Sequence, residues 1–187
     1  MYEFNIKIAE LYAISLFVNK KDPRLQLQLQ GVWINDGEMF ATDGVAVAVL
    51  PVGTTEVVGI PIDTVQLFLK GVGKKELSTG TATVGLHLDL GKIGFHGKMI
   101  EFVNMRRYAF PPDYRKSRFG DFLPREGASE ISLDWTYMTK FQKVADLVRG
   151  GVVSLLPGTD GGISMVKFAK NSAFKGGLMS IRAIKKS

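Results

Sequence analysis

The residue types that could carry chemistry are few in this chain, and none of them stands in a catalytic pattern. Residues 71–75 have the glycines and lysines of a phosphate-binding loop, but Phe68 and a lysine replace the glycine and the Ser or Thr that the Walker pattern requires. His87 and His96 are the only histidines, and besides Asp89 no further ligand has suitable spacing for a metal. No Gly-x-Ser-x-Gly elbow is present. The sequence therefore predicts no enzyme, no metal site and no cofactor.

Composition predicts a folded protein of the cytoplasm. Of the 187 residues 45% are apolar and none is cysteine. No apolar run approaches the roughly 18 residues of a membrane span, and the N-terminus lacks the pattern of a secretory signal. The net charge of +6 is uneven, because residues 106–125 carry six basic and two acidic groups and residues 165–187 carry six basic groups and no acidic one. Such an excess of basic residues indicates either a polyanionic binding partner or surface charge that only keeps the protein soluble, and the sequence favours neither.

Turn signals divide the chain into three units, each with the order strand, helix and three strands. The predicted elements of the first unit are strand 2–8, helix 9–18 and strands 24–34, 38–42 and 45–50. Those of the second are strand 56–60, helix 61–70 and strands 76–82, 84–90 and 93–103. Those of the third are strand 130–133, helix 135–148 and strands 152–156, 163–169 and 173–184. We therefore predict an α+β fold, with a two-unit domain at 1–110, a connector at 111–128 and a half domain at 129–187.

Basic residues recur around the helix of each unit. This recurrence predicts a positive surface that contacts phosphates without reading bases, although each cluster taken singly is more often a solvated face. The candidate DNA-binding residues are Lys20, Lys21, Arg24, Lys70, Lys74, Lys75, Lys140, Lys143 and Arg149.

Four short motifs in this chain resemble those of one family. Residues 24–34 are similar to an Arg-x-x-Leu-x-Gly strand, with Leu29 and Gly31 in place, and residues 41–44 match an Ala-Thr-Asp-Gly turn. Residues 110–115 are similar to a Phe-Pro-Asp-Tyr-Arg connector, and residues 178–182 to a Met-Pro-Met-Arg ending. Together these four motifs resemble the motifs of one family, the bacterial DNA polymerase III β subunit or sliding clamp.

The resemblance implies a ring of βαβββ units with antiparallel sheets outside and helices inside. It implies a processivity factor that encircles duplex DNA independently of sequence and tethers a polymerase and other proteins through short peptides. The matching peptide-pocket positions are Leu29, Thr42, Gly44, Ala46, Val47, Pro112, Leu178, Met179, Ile181 and Arg182. Small and aliphatic side chains with a flexible methionine suit such a pocket, and they are equally typical of strand cores.

The chain also departs from the family pattern. Val45, Ala46 and Val47 stand where His-Arg-Leu is usual, and Ser180 replaces a proline. A bacterial clamp subunit has six units, so the brevity of this chain suggests a phage protein. We expect the third unit to lack a partner within the chain and to pair with another subunit, so that four chains form a twelve-unit ring. The alternative is a clamp-fold binding module, or a regulator of replication proteins, that does not encircle DNA.

Overall fold

A computed structural model of the protein describes residues 3–18, 27–79, 83–87, 91–95, 97–114, 135–156 and 163–179. The strands in this part of the chain are β1 (Glu3–Lys7), β2 (Gly31–Asn35), β3 (Glu38–Thr42), β4 (Ala46–Pro51), β5 (Val58–Pro61), β6 (Thr83–His87), β7 (Lys92–Phe95), β8 (Lys98–Glu101), β9 (Val153–Leu156), β10 (Ile163–Phe168) and β11 (Lys175–Met179). The α-helices are α1 (Ile8–Ser15), α2 (Ile62–Lys70), α3 (Lys74–Thr79) and α4 (Trp135–Leu147).

The strands form two antiparallel sheets that exchange their first strands. One sheet has the order β1-β6-β7-β8, and the other has the order β5-β2-β3-β4-β11-β10-β9. β1 thus leaves the first unit and pairs with β6, with Ile6 opposite Val84, while β5 leaves the second unit and pairs with β2, with Ile60 opposite Val32. The first two units therefore interlock, and the predicted α+β fold with antiparallel sheets is confirmed.

The third unit does have a partner within the chain, and the expectation that it lacks one is wrong. β11 pairs antiparallel with β4 of the first unit, with Gly177 opposite Val47. On the helix side α4 contacts α1, and the fully buried Phe141 ring lies 4.8 Å from the ring of Phe17. Gly176 makes this close packing possible, because a Cβ at that position would overlap the Phe141 ring. Backbone pairing and aromatic burial together hold the third unit on the first.

Alternation along the strands sorts apolar side chains onto two faces of the larger sheet. In β4, Ala46 and Ala48 belong to the main core, which buried residues of both sheets form together with α1, α2 and α4. Val47 and Val49 point the other way, since successive side chains of a strand lie on opposite faces. Each fully buried side chain of this size contributes roughly 1.5–3 kcal/mol to folding. The helices therefore form one layer, which we call the helix layer, and the opposite face of the sheet is the outer face.

Three predicted strands differ in the structure. Residues 76–79 of the segment predicted as strand 76–82 belong to α3, because straight-chain residues such as Lys and Glu favour a helix. Among the described side chains of α3, Leu77 is the one that packs against the core. The predicted strand 24–34 contains a 3₁₀ turn at Leu27–Leu29, and β2 starts only at Gly31. The predicted strand 93–103 is a hairpin of β7 and β8, with Gly97 at φ 75° in its turn. The predicted strand 130–133 lies outside the described residues.

Candidate functional site

The turn between β3 and β4, residues 42–46, is held by its own side chains, and we call it the Asp43 turn. Asp43 Oδ1 accepts hydrogen bonds from the backbone N–H groups of Val45 at 3.1 Å and Ala46 at 2.9 Å. The hydroxyl of Thr42 donates to the Ala46 carbonyl at 2.8 Å. The backbone of Gly44 has φ 88°, a conformation that residues other than glycine rarely adopt. The Asp-Gly sequence is therefore needed for the backbone geometry of this turn.

Lys140 of α4 reaches the Asp43 turn from the third unit. Its Nζ lies 3.2 Å from Asp43 Oδ2, and the Asp43 side chain is only 4% exposed. The same ammonium lies 4.5 Å from the centroid of the Tyr137 ring, a favourable cation–π distance. The structure therefore gives Lys140, which was predicted to contact DNA, a carboxylate partner inside the protein. Sequence analysis missed this role because Asp43 and Lys140 are 97 residues apart.

The structure brings most of the predicted peptide-pocket residues to one end of the larger sheet. Thr42 lies opposite Val47 and Ala46 lies opposite Leu178, and the Met179 N–H donates to the Val45 carbonyl at 3.0 Å. The Asp43 turn and the end of β11 are therefore neighbours.

Only some of these residues can face a ligand. Ala46 and Leu178 are fully buried on the helix side of the sheet, so they are core residues. Val47 is fully buried on the outer face, whereas Met179 and Pro112 are half-buried. Leu29 is half-buried in the turn before β2. Ile181 and Arg182 lie outside the described residues.

An apolar cluster covers the outer face of the larger sheet, and we call it the outer-face cluster. It contains Trp33, Phe40, Val47, Val49, Met105, Tyr114 and Ile163, with Ala109 and Met179 packed against it. The ring of Tyr114 lies 4.8 Å from that of Phe40, and its hydroxyl donates a hydrogen bond to the Glu38 carboxylate. Residues 105–114 thus contact the sheet at both ends, through Met105 at one end and Tyr114 at the other.

A cavity of about 570 Å³ lies beside these residues, and we call it the connector cavity. Its lining includes Val57, Arg106, Phe110 and Pro112, and Phe110 is 82% exposed. Sequence analysis used Phe110 only as part of a motif and missed Val57 and Arg106. The sequence did contain a pattern that indicates such a site. The pair Arg106-Arg107 and the segment Phe110-Pro111-Pro112 place positive charge and an aromatic ring beside a rigid turn.

The described part of the helix layer carries charges of both signs. Lys70, Lys75, Lys143 and Arg149, four of the predicted DNA-binding residues, are exposed. Asp63 on α2 and Asp146 on α4 are also exposed. Lys20, Lys21 and Arg24 lie outside the described residues, as does the side chain of Lys74. The DNA contacts of all these residues remain predictions.

Among the described residues no group of three or more His, Cys, Asp or Glu side chains could hold a metal ion. None of the described helices is long and apolar enough to cross a membrane.

Solved structures share this architecture of paired units. The DNA polymerase III subunit beta from Pseudomonas aeruginosa superposes with a TM-score of 0.62 at 15% identity, over 98% of this chain and 66% of that chain. The chain has the sliding-clamp fold. The corresponding subunit from Borrelia burgdorferi gives a TM-score of 0.67 at 11% identity, over 98% of this chain and 63% of that one. The DNA polymerase III beta subunit from Thermotoga maritima gives a TM-score of 0.57 at 11% identity, over 97% of this chain and 65% of that chain.

The clamp-fold chain thus spans 66% of the length of the P. aeruginosa subunit, just under two thirds. No protein-family model and no curated protein sequence matches it. The resemblance read from four short motifs is therefore confirmed at the level of the fold.

Proposed function

We propose that this clamp-fold protein is a DNA sliding clamp, in which several chains form a ring around duplex DNA and tether replication proteins. The observation that carries the proposal is the layered arrangement of the units. β4 and β11 join two units in one continuous sheet, the described α-helices pack on one side of it, and the outer-face cluster lies on the other. A ring built from such units has helices inside and a binding surface outside.

The DNA-facing surface in this proposal is the helix layer. Lys70, Lys75, Lys143 and Arg149 are its exposed basic residues in the described part of the chain. They would contact phosphates loosely, which suits a protein that slides, because phosphate contacts carry no sequence information. Lys140 is left out of this set, since its ammonium is engaged by Asp43.

The peptide-binding surface in this proposal is the outer face near the end of β11. Met179 is half-buried at the margin of the outer-face cluster, and Val45 beside it is 39% exposed. A short peptide with apolar side chains could pack against this margin, and the buried Val47 would form part of the floor. A methionine adapts its shape to different apolar partners.

The second candidate function is a clamp-fold binding module that does not encircle DNA. The charges on the helix layer favour it, because Asp63 shares α2 with Lys70, and Asp146 shares α4 with Lys143. A surface of mixed sign attracts a polyanion less strongly than a uniformly basic channel does.

Topological linkage to DNA separates the two candidates. Dilute protein is mixed with a nicked circular plasmid and then concentrated, so that chains assemble around the DNA by mass action without a loading protein. Gel filtration at high salt removes protein held only by charge. A sliding clamp stays with the circle and is lost when a restriction enzyme linearises it. Equal loss from circular and linear plasmid would overturn encirclement and leave the binding module.

A further inference from the structure

The connector cavity lies at the opposite end of β3 from the Asp43 turn. Asn35 and Asp36, where β2 ends and the chain turns toward β3, belong to its lining, whereas the Asp43 turn begins at the last residue of β3. Of the predicted peptide-pocket residues that the structure describes, Pro112 is the one in the lining. The volume of about 570 Å³ falls within the roughly 300–1,000 Å³ typical of ligand pockets. The cavity is therefore separate from the margin near Met179.

Part of the cavity wall is fixed by the larger sheet before any ligand binds. Asn104 Oδ1 accepts hydrogen bonds from the backbone N–H groups of Gly59 at 2.9 Å and of Arg106 at 3.1 Å. Met105 between them is buried, and a Cβ at Gly31 or at Gly59 would overlap its side chain. The sheet thus holds the backbone from which the Arg106 side chain extends. A preformed wall lowers the entropic cost of binding a ligand.

An aromatic ring of the connector forms another part of the wall. Phe110 is 82% exposed and directly precedes Pro111 and Pro112, whose rings restrict the backbone. Tyr114, which ends this stretch, is buried in the outer-face cluster. Folding therefore leaves the Phe110 ring in solvent between fixed neighbours. Such rigid, exposed aromatic rings are typical of protein-binding surfaces, because little side-chain entropy is lost on contact.

The charge that remains available in the lining is positive. Asp36 and Asp113 belong to the lining, but each of them already interacts with another group. Arg106 is exposed, and no ion pair joins its guanidinium to any described residue. A guanidinium of this kind forms paired hydrogen bonds with a carboxylate. The lining therefore favours a ligand that carries a carboxylate beside an apolar group.

A peptide suits this lining better than a nucleic acid does. Asp36 and Asp113 place two carboxylates in the lining, and the exposed Glu56 directly precedes Val57, another residue of the lining. These negative charges repel the repeated phosphates of a nucleic acid strand, whose binding depends on a continuous basic surface. A peptide can instead direct one carboxylate to Arg106 and keep the rest of its length uncharged.

We propose that the connector cavity binds a short peptide of another protein, in which an aromatic side chain stands next to an acidic residue. The aromatic ring packs against Phe110 and covers Val57, and the carboxylate pairs with Arg106. The clamp-fold chain thus has a second protein-binding surface besides the margin near Met179. The inference goes beyond the proposed function, and its test contains neither DNA nor a polymerase peptide.

The test uses the full chain and the probe peptide acetyl-Gly-Glu-Trp-Gly-amide, which carries the proposed pair of side chains. Saturation-transfer-difference NMR detects contact of the indole protons with the protein, and a titration to about 5 mM gives the dissociation constant, expected at about 1 mM or below. Phe110→Ala should weaken binding about tenfold. Val152→Ala, which also shortens an exposed apolar side chain, is the matched control and should bind like the wild type. Circular dichroism checks that each variant folds.

A second probe isolates the contact with the carboxylate. Arg106→Gln should weaken binding of the glutamate probe about fivefold and leave unchanged the binding of a probe with Gln in place of Glu. Lys167→Gln removes an exposed cation from β10 and should alter neither affinity. Absence of saturation transfer at about 5 mM, wild-type affinity in Phe110→Ala, or an equal effect of Arg106→Gln on both probes would overturn the proposal. A single-stranded oligothymidine that binds more tightly than the peptide, and loses binding in Phe110→Ala, would overturn it in favour of nucleic acid.

Discussion

Lys140 Nζ lies 3.2 Å from Asp43 Oδ2, so that an ion pair joins the helix of the third unit to a turn of the first. Asp43 uses its other carboxylate oxygen to fix the turn through two backbone N–H groups. A single side chain therefore shapes the turn and anchors the neighbouring unit. The turn also borders the margin where Met179 is proposed to receive a peptide, so unit assembly and the candidate binding surface share one residue.

Removal of the Lys140 charge should destabilise the protein. Lys140→Met keeps an aliphatic side chain beside Tyr137 but leaves the Asp43 carboxylate buried without its cation. We expect a loss of about 1–3 kcal/mol in the free energy of unfolding, below the value for a fully buried pair because Lys140 is partly exposed. Urea denaturation measures the loss, and Lys167→Met serves as the exposed control. Equal stability of the two variants would contradict a structural role for the ion pair.

The packing of α4 on the first unit depends on the absence of a side chain at position 176. Gly176→Ala would drive a methyl group into the Phe141 ring, which packs against Phe17, and should cost about 1–3 kcal/mol. Gly53→Ala is the matched control, because no atom of the described chain lies within 4 Å of a Cβ there. Its effect should stay within about 0.5 kcal/mol. Thermal unfolding compares the two, and a Gly176→Ala protein as stable as the control would contradict the arrangement of the third unit.

The elements of the fold could largely be predicted from local patterns. Alternating apolar residues predicted the hairpin of β3 and β4, and Gly71 correctly marked the end of α2. The strand predicted over residues 76–82 was wrong at residues 76–79, which belong to α3, because so short a stretch has no reliable period. Partners between elements could not be predicted, because the pairing of β4 with β11 joins residues about 130 positions apart and leaves no local signal.

The candidate surfaces could be predicted only in part. The Asp-Gly turn at residues 43–44 was predicted from its sequence, and the structure places Met179 of β11 beside it. Sequence could not tell which side of the sheet each residue faces, so Leu178 was grouped with Met179 although it belongs to the core. The ion pair of Lys140 was equally hidden, since charge counting treats every lysine on a helix alike.

The outer face near Met179 should bind a polymerase peptide. Met179→Glu places a charge at the margin of the outer-face cluster, which should weaken binding of a fluorescent peptide from the C-terminus of a replicative DNA polymerase by about tenfold or more. Fluorescence anisotropy measures the affinity. Val152→Glu, at a position that is 70% exposed, is the control and should bind like the wild type. Unchanged affinity in the Met179→Glu protein would remove this residue from the binding surface.

The helix layer should account for the salt dependence of DNA binding. Lys143→Glu removes one cation from α4, and the slope of log affinity against log salt should fall by about 1. Filter binding of duplex DNA over a range of salt concentrations measures the slope. Lys167→Glu makes the same charge change on β10 and should leave the slope unchanged. Equal effects of the two substitutions would show that net charge, and not the helix layer, governs binding.

The central claim is that several copies of this chain close into a ring around DNA, and electron microscopy of the assembled protein tests it most directly. Class averages of negatively stained particles, prepared at the concentration where association is complete, should show closed rings with a central opening that admits duplex DNA. The β-sheets should form the rim and the helix layer should line the opening. Particles without an opening, at a concentration where the protein is fully associated, would contradict the account.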